Sequence, residues 1–258
     1  MFVHNRIALS LLIIIGFAKV AGAQTDWHGF YAGGSLGAAI NRSTANTSTS
    51  FSTSGYFAAS SVNALTIAGR QRLNDTSFTG GLEAGYNANV GGAVVGAETD
   101  YVSLRMNASQ STTVPYTCPT CAGTSFTITQ SMSTRWLYTF RPRFAIPAGR
   151  MLYYADGGIA VSKLSYQETF SDTFGPANAN AAFEKTKLGW TIGGGAAFRV
   201  KDRWSVKGEY LYTDFGRIFG SSNNLTAFNP PVAFPANVFD HSAALHSHII
   251  RGGVDYHW

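Results

Sequence analysis

After residue 23 the chain has no apolar run approaching the ~20 residues a membrane-crossing helix needs, so the mature part does not cross a bilayer as helices. Charge is scarce as well, at 13% of residues. Once Arg6 and Lys19 are set aside, the surplus is three positive charges, small and scattered, which excludes nucleic acid as a partner. Cysteine is nearly absent. Cys118 and Cys121, in the segment TCPTC, give half a zinc site at most, and no βαβ pattern surrounds them to suggest a thioredoxin-like redox centre. On an exported chain they read as a short loop disulfide, with free or intermolecular thiols as the alternative. Nucleotide motifs are missing too: Gly193-Gly194-Gly195 lies inside a strand pattern and opens no helix, so no phosphate loop or dinucleotide fingerprint is present.

The amino terminus carries an export signal. His4 and Arg6 stand in a short polar start, Ile7 to Phe17 are apolar, and Ala21-Gly22-Ala23 is a small-x-small cleavage site. Residues 1–23 are therefore expected to be a cleaved signal peptide, with residues 24–258 a single domain; an uncleaved anchor is the alternative. The chain is rich in glycine and aromatic residues, with 28 Gly, 18 Phe, 12 Tyr and 5 Trp in the full sequence. That suits a sheet protein with aromatic girdles and small residues where strands cross closely.

Eight strands are predicted, near Gly29–Ile40, Thr76–Ala88, Ala93–Met106, Met132–Ile146, Met151–Leu164, Lys187–Arg199, Trp204–Gly216 and Ala244–Trp258. Their connections alternate long and short. Asn89–Gly92, Pro147–Arg150 and Val200–Arg203 are short turns, whereas Asn41–Asp75, Asn107–Ser131, Ser165–Thr186 and Arg217–Ala243 are long. An up-and-down barrel with both termini in the periplasm alternates in this way. Parity agrees with it. Trp136, Tyr138, Phe140, Phe144 and Ile146 share one face of the fourth strand, opposite Arg135, Arg141 and Arg143. In the last strand Ile250, Val254, Tyr256 and Trp258 oppose Arg251 and Asp255. The expected fold is all-β, an eight-stranded antiparallel transmembrane β-barrel with the apolar face toward lipid. Pro142 removes a ladder donor, and a bulge or bend is expected there.

This parity sends Glu83, Glu98, Asp100, Arg135, Arg141, Arg143, Asp156, Arg199, Lys207, Glu209, Arg251 and Asp255 into the lumen, six acidic and six basic residues. Buried charges persist when paired, so they are expected to form a salt-bridge core that fills the barrel. A catalytic carboxylate pair or an ion pathway is the alternative. Glycine pairs such as Gly33-Gly34, Gly80-Gly81, Gly157-Gly158 and Gly252-Gly253 leave room for arginines from neighbouring strands. His241, His246 and His248 read as solvated rim residues, since no nucleophile motif accompanies them.

With these residues in hand, the chain resembles the outer-membrane β-barrel family of alphaproteobacteria, opacity-porin-like surface proteins with an OmpA-type barrel. The matching pieces are the opening Trp27-His28-Gly29-Phe30-Tyr31-Ala32-Gly33-Gly34, the segment Gly96-Ala97-Glu98-Thr99-Asp100, Trp190–Gly195 and the closing Arg251–Trp258. The resemblance implies location in the outer membrane of a Gram-negative cell, contact with its lipid, and a C-terminal assembly signal at Tyr256 and Trp258 read by the barrel-assembly machinery. Trp258 stands where such proteins most often carry phenylalanine. The expected function is a non-enzymatic, monomeric structural or surface protein without cofactor or metal. A narrow passive porin for small solutes and a loop-mediated adhesin or receptor are the alternatives.

Overall fold

The computed structural model describes residues 26–258; the expected signal peptide lies outside them. Eight long strands form a closed antiparallel ring: β1 (Gly29–Thr49), β2 (Arg70–Val90), β3 (Ala93–Pro115), β4 (Ser125–Ala148), β5 (Met151–Asp172), β6 (Asn178–Lys201), β7 (Trp204–Ser222) and β10 (Phe239–His257). Each pairs with its chain neighbour, except that a two-strand hairpin, β8 (Thr226–Ala227) with β9 (Val232–Ala233), is inserted before β10. Pairing of β1 with β10, from Tyr31 opposite His257 to Thr49 opposite Phe239, closes the ring and leaves no long strand with an open edge. One helix, α1 (Ala59–Ala68), lies between β1 and β2, and no helix among the described residues is long and apolar enough to cross a membrane.

The three short turns are at one end, with positive φ at Gly91, Gly92 and Gly149. At the other end the strands run much further than predicted. They are 19 to 24 residues long, whereas a tilted transmembrane strand needs about 9–11. Much of the sequence expected as loop is therefore strand: the Ser/Thr/Asn-rich run after Ile40 continues as β1 to Thr49, and β2 already starts at Arg70.

The outer stretches have the opposite polarity from the membrane stretches. Nearer the short turns, outward positions carry exposed Phe30, Leu36, Phe78, Leu82, Phe140, Ile159, Ile192 and Val254. In the outer half of β4 the outward residues are Thr127, Thr129, Ser131 and Ser133, while Phe126, Ile128 and Met132 are fully buried inside. Apolar residues sit at even positions along nearly the whole of β4. Between Ser133 and Tyr138 the ladder to β5 slips by one residue, so the same parity faces the core above the slip and lipid below it. A second bulge serves β7, where Gly216 takes a left-handed φ of 63° and the ladder to β10 shifts between Ala244 and His246.

The bulge overturns one assignment. Arg135 is exposed on the outer wall beside Trp136 and is not in the lumen, because the two consecutive residues both point outward. Pro142 needs no bulge; it pairs in register with Ala97, exposed toward the lipid side.

Inside, the barrel is filled in layers. Nearest the short turns, Trp27, Val94, Ala145, Leu152, Tyr154 and Ala197 form an apolar floor. The ionic residues lie above it. Next comes an apolar layer that includes Leu104, Met106, Leu137, Leu164, Leu211, Phe215 and Ile249. A further apolar layer with Phe57, Leu65, Phe126, Ile128, Phe170 and Phe239 packs α1 and the loops onto the outer strands. The expected salt-bridge core therefore occupies only part of the lumen: the outer half is packed mainly with apolar side chains, with buried polar residues such as Gln130 and His241 among them.

Candidate functional site

Inward positions of β2, β3, β4, β5, β7 and β10 bring Glu83, Glu98, Asp100, Arg141, Arg143, Asp156, Lys207, Glu209, Arg251 and Asp255 into one buried cluster. Their backbones come close enough only because small residues face them. A side-chain carbon on Gly37 would lie 2.6 Å from the Cα of Arg251, and one on Gly158 would lie 3.0 Å from the Cα of Arg141. Neither position admits a larger residue without moving a strand.

Arg141, fully buried, is the hub. Its guanidinium meets Glu98, Asp100 at 3.0 Å, Glu209 at 3.4 Å and Asp156 at 3.6 Å. Arg143 donates to Glu98 at 2.7 Å and lies 3.9 Å over the Tyr154 ring. Arg251 reaches Asp100 at 2.8 Å and Glu209 through its Nε at 2.6 Å. Lys207 holds Glu83 and Glu98, each at 2.9 Å, with Asp255 at 4.0 Å. Tyr31 donates its hydroxyl to Glu98 at 2.9 Å and accepts from Arg143 at 2.8 Å. Glu98, Asp156 and Glu209 offer carboxylate oxygens within 4.8 Å of one another, a spacing a metal ion could use. Arg141 and Arg143 both reach all three, so guanidinium groups already supply the positive charge at that point.

Arg199 points inward but joins no ion pair among the described residues. Its guanidinium stacks 4.3 Å over Trp27 and donates to the carbonyl oxygens of Asp26 at 2.9 Å and Asp202 at 3.3 Å. It fastens the N-terminal approach across the floor of the barrel. With Arg135 outside and Arg199 at the end, the expected six-to-six balance becomes six carboxylates around four cations.

A second polar cluster sits in the outer half. His241 is buried, 2% exposed, and is not the solvated rim residue expected. Its Nδ1 is 3.0 Å from the Thr47 hydroxyl and its Nε2 is 3.1 Å from that of Ser222. Burial lowers its pKa to about 4, so the ring is neutral near pH 7. Serine beside a neutral histidine is a fragment of a hydrolase centre, yet Nδ1 faces Thr47 where a carboxylate would orient the ring, and the imidazole is closed to solvent. His246 and His248 do lie on the outer wall, against Tyr212.

Glu168, on the outer part of β5, was not found by sequence reasoning; its only signal is inward parity between Tyr166 and Phe170. It is 1% exposed, and neither carboxylate oxygen has a hydrogen-bond partner. Burial pushes its pKa up to about 8. An unfolded Glu ionises near 4.3, so the unfolded chain gives up this proton first, and the outer half loses stability as pH rises from about 4 to about 8. Glu168→Gln should therefore leave stability unchanged at pH 4 and raise it by on the order of 2–5 kcal/mol at pH 9. Hydrogen exchange of the outer amides of β5 and β6 checks this, and equal protection of both proteins at pH 9 would exclude a buried, strained carboxyl.

The loops are pinned to this half. Tyr56 and Tyr116 both donate to Asp172, at 2.7 and 2.6 Å, while Asp172 also accepts from the Ala177 amide at 2.8 Å. Burial and the facing carboxylate raise both tyrosine pKa values. Cys118 and Cys121 form a disulfide, Cα atoms 5.2 Å apart, closing a single 3-10 turn.

Residues 8–256 match the family model described as outer membrane protein beta-barrel domain. The 31 kDa outer-membrane immunogenic protein of Brucella melitensis is 32% identical over 154 residues, covering 58% of this chain and 59% of that protein. The Brucella suis protein of the same name matches to the same extent. The chain thus spans well under two thirds of these relatives' length. Among solved structures, the outer membrane protein OprG from Pseudomonas aeruginosa aligns over 92% of this chain and 99% of its own, with 10% identity and a TM-score of 0.43. The outer membrane protease OmpT from Escherichia coli aligns over 89% and 97%, with 9% identity and a TM-score of 0.45. A closed eight-strand ring, an apolar outer belt and a match along nearly the whole sequence lead to one assignment: the chain belongs to the outer membrane protein β-barrel family and resides in the outer membrane.

Proposed function

We propose that the protein is a closed structural barrel that holds a rigid, folded surface cap outside the cell. The observation that carries this is the layered interior. Above the charge network Leu104, Leu137, Leu211 and Ile249, each fully buried, belong to an apolar layer drawn from strands all round the ring, and a second apolar layer follows it. A narrow water-filled passage needs a continuous polar lining, and the apolar layers interrupt it. Ion conductance across a bilayer tests the reading, since a sealed barrel carries none.

Surface display has its own support. The cap is a packed unit stapled by Asp172, the Cys118–Cys121 disulfide and the Phe57–Phe170–Phe239 contacts, so it presents a fixed surface. The Brucella relatives are named immunogenic, which fits an exposed surface on proteins of this kind. At the other end Tyr256 packs between Trp204 and Trp258, with ring centroids 5.1 and 5.2 Å away, and Trp258 is 67% exposed. We read this aromatic edge as the mark by which assembly machinery takes up the last strand, and the closed ring as a monomer.

A further inference from the structure

On the outer wall, at the upper edge of the apolar belt, β2, β3 and β4 form a groove of ≈ 830 Å³. Gly80 and Gly81 line it beside Leu82, Tyr101 and Trp136, which make its sides apolar, and Arg105 and Arg135 stand at its outer end. The bulge builds it. At this level the β3–β4 ladder skips between Ser103 and Met106, and β4 turns Arg135 and Trp136 outward in succession. With regular alternation Arg135 would face the lumen, as Arg141 and Arg143 do. The slip instead places a cation directly above an aromatic side chain, at the depth where lipid headgroups meet acyl chains.

Both guanidinium groups are exposed, and neither makes an ion pair with a described residue. The setting is asymmetric between leaflets. A second wall groove of ≈ 640 Å³ near the short turns, lined by Phe30, Tyr86, Phe140 and Trp258 among others, contains no Arg or Lys. Of these two grooves, the outer one joins an apolar trough to two exposed cations. Arginine forks match phosphate oxygens in a bidentate way, and a phosphate with attached acyl chains satisfies both halves of the site at once.

We propose that this groove seats a phosphorylated, acylated lipid of the outer leaflet, its phosphate between Arg105 and Arg135 and an acyl chain along Tyr101 and Trp136. The charges attract the headgroup, and Leu82, Tyr101 and Trp136 give the acyl chain an apolar wall to lie along.

Native mass spectrometry of the full protein, extracted from outer membranes in mild detergent, tests it. Wild type should retain bis-phosphorylated lipid A, and R105S/R135S should retain about tenfold less while keeping its heat-modifiable gel migration. The exposed pair R42S/R72S, removing equal charge from the same rim, should behave as wild type. Added to delipidated protein, lipid A should bind, its dephosphorylated form should bind about tenfold more weakly, and millimolar inorganic phosphate should not displace it. Equal retention by wild type and R105S/R135S, equal loss in R42S/R72S, equal binding of the dephosphorylated lipid, displacement by phosphate alone, or no lipid on wild type would each overturn the proposal.

Discussion

Arg141→Met should cost about 3–5 kcal/mol of stability, because it leaves buried carboxylates without the cation they share. Arg141 touches Glu98, Asp100, Asp156 and Glu209, and all five side chains are closed to solvent. Arg143, Lys207 and Arg251 retain their own partners, so six carboxylates would then surround three cations. Methionine fills much of the volume, which isolates the charge effect from a cavity. Urea titration of tryptophan fluorescence in lipid vesicles reads the change. Arg141→Lys should lose less, because it keeps the charge and gives up only the guanidinium fork. A methionine variant within about 1 kcal/mol of wild type would mean that the network is not held by this hub.

Ile192→Arg should cost about 2–4 kcal/mol, the penalty for a cation on the lipid face near mid-bilayer. Ile192 is 56% exposed within the outward apolar run from Leu188 to Val200. Its neighbour provides the control. Thr191 is 2% exposed, points inward and donates to the carbonyl of Tyr212 at 3.0 Å, so Thr191→Arg meets crowding, a cost of about 1–3 kcal/mol. The urea midpoint and the shift between heated and unheated gel migration give both values. If Ile192→Arg left both unchanged, the outward face would not contact lipid.

Parity made the membrane half legible from sequence. Alternation in the last strand and in Trp136–Ile146 places the aromatics outside and Arg141, Arg143, Arg251 and Asp255 inside, which is where the structure has them. Strand ends were harder to read. A Ser/Thr-rich segment such as Thr127–Ser133 resembles a loop in composition, and its buried Phe126, Ile128 and Met132 become meaningful only when the strand is known to rise beyond the bilayer. Arg135 departs from strict parity for a related reason. A bulge shifts phase without any residue type that announces it; neither glycine nor proline marks this one, whereas Gly216 does mark the bulge in β7. Pro142 sent the opposite signal, yet it sits regularly on the ladder. His241 reads as a rim residue while the composition of the outer half reads as loop; with β10 beginning at Phe239, inward parity buries it.

A barrel filled from floor to cap has one direct test, single-channel recording of the purified protein in planar bilayers of symmetric salt. The layered interior predicts a flat baseline at moderate voltage after insertion has been verified by protease protection. Steady, reproducible current steps from protein whose apolar layer of Leu104, Leu137, Leu211 and Ile249 is intact would contradict it.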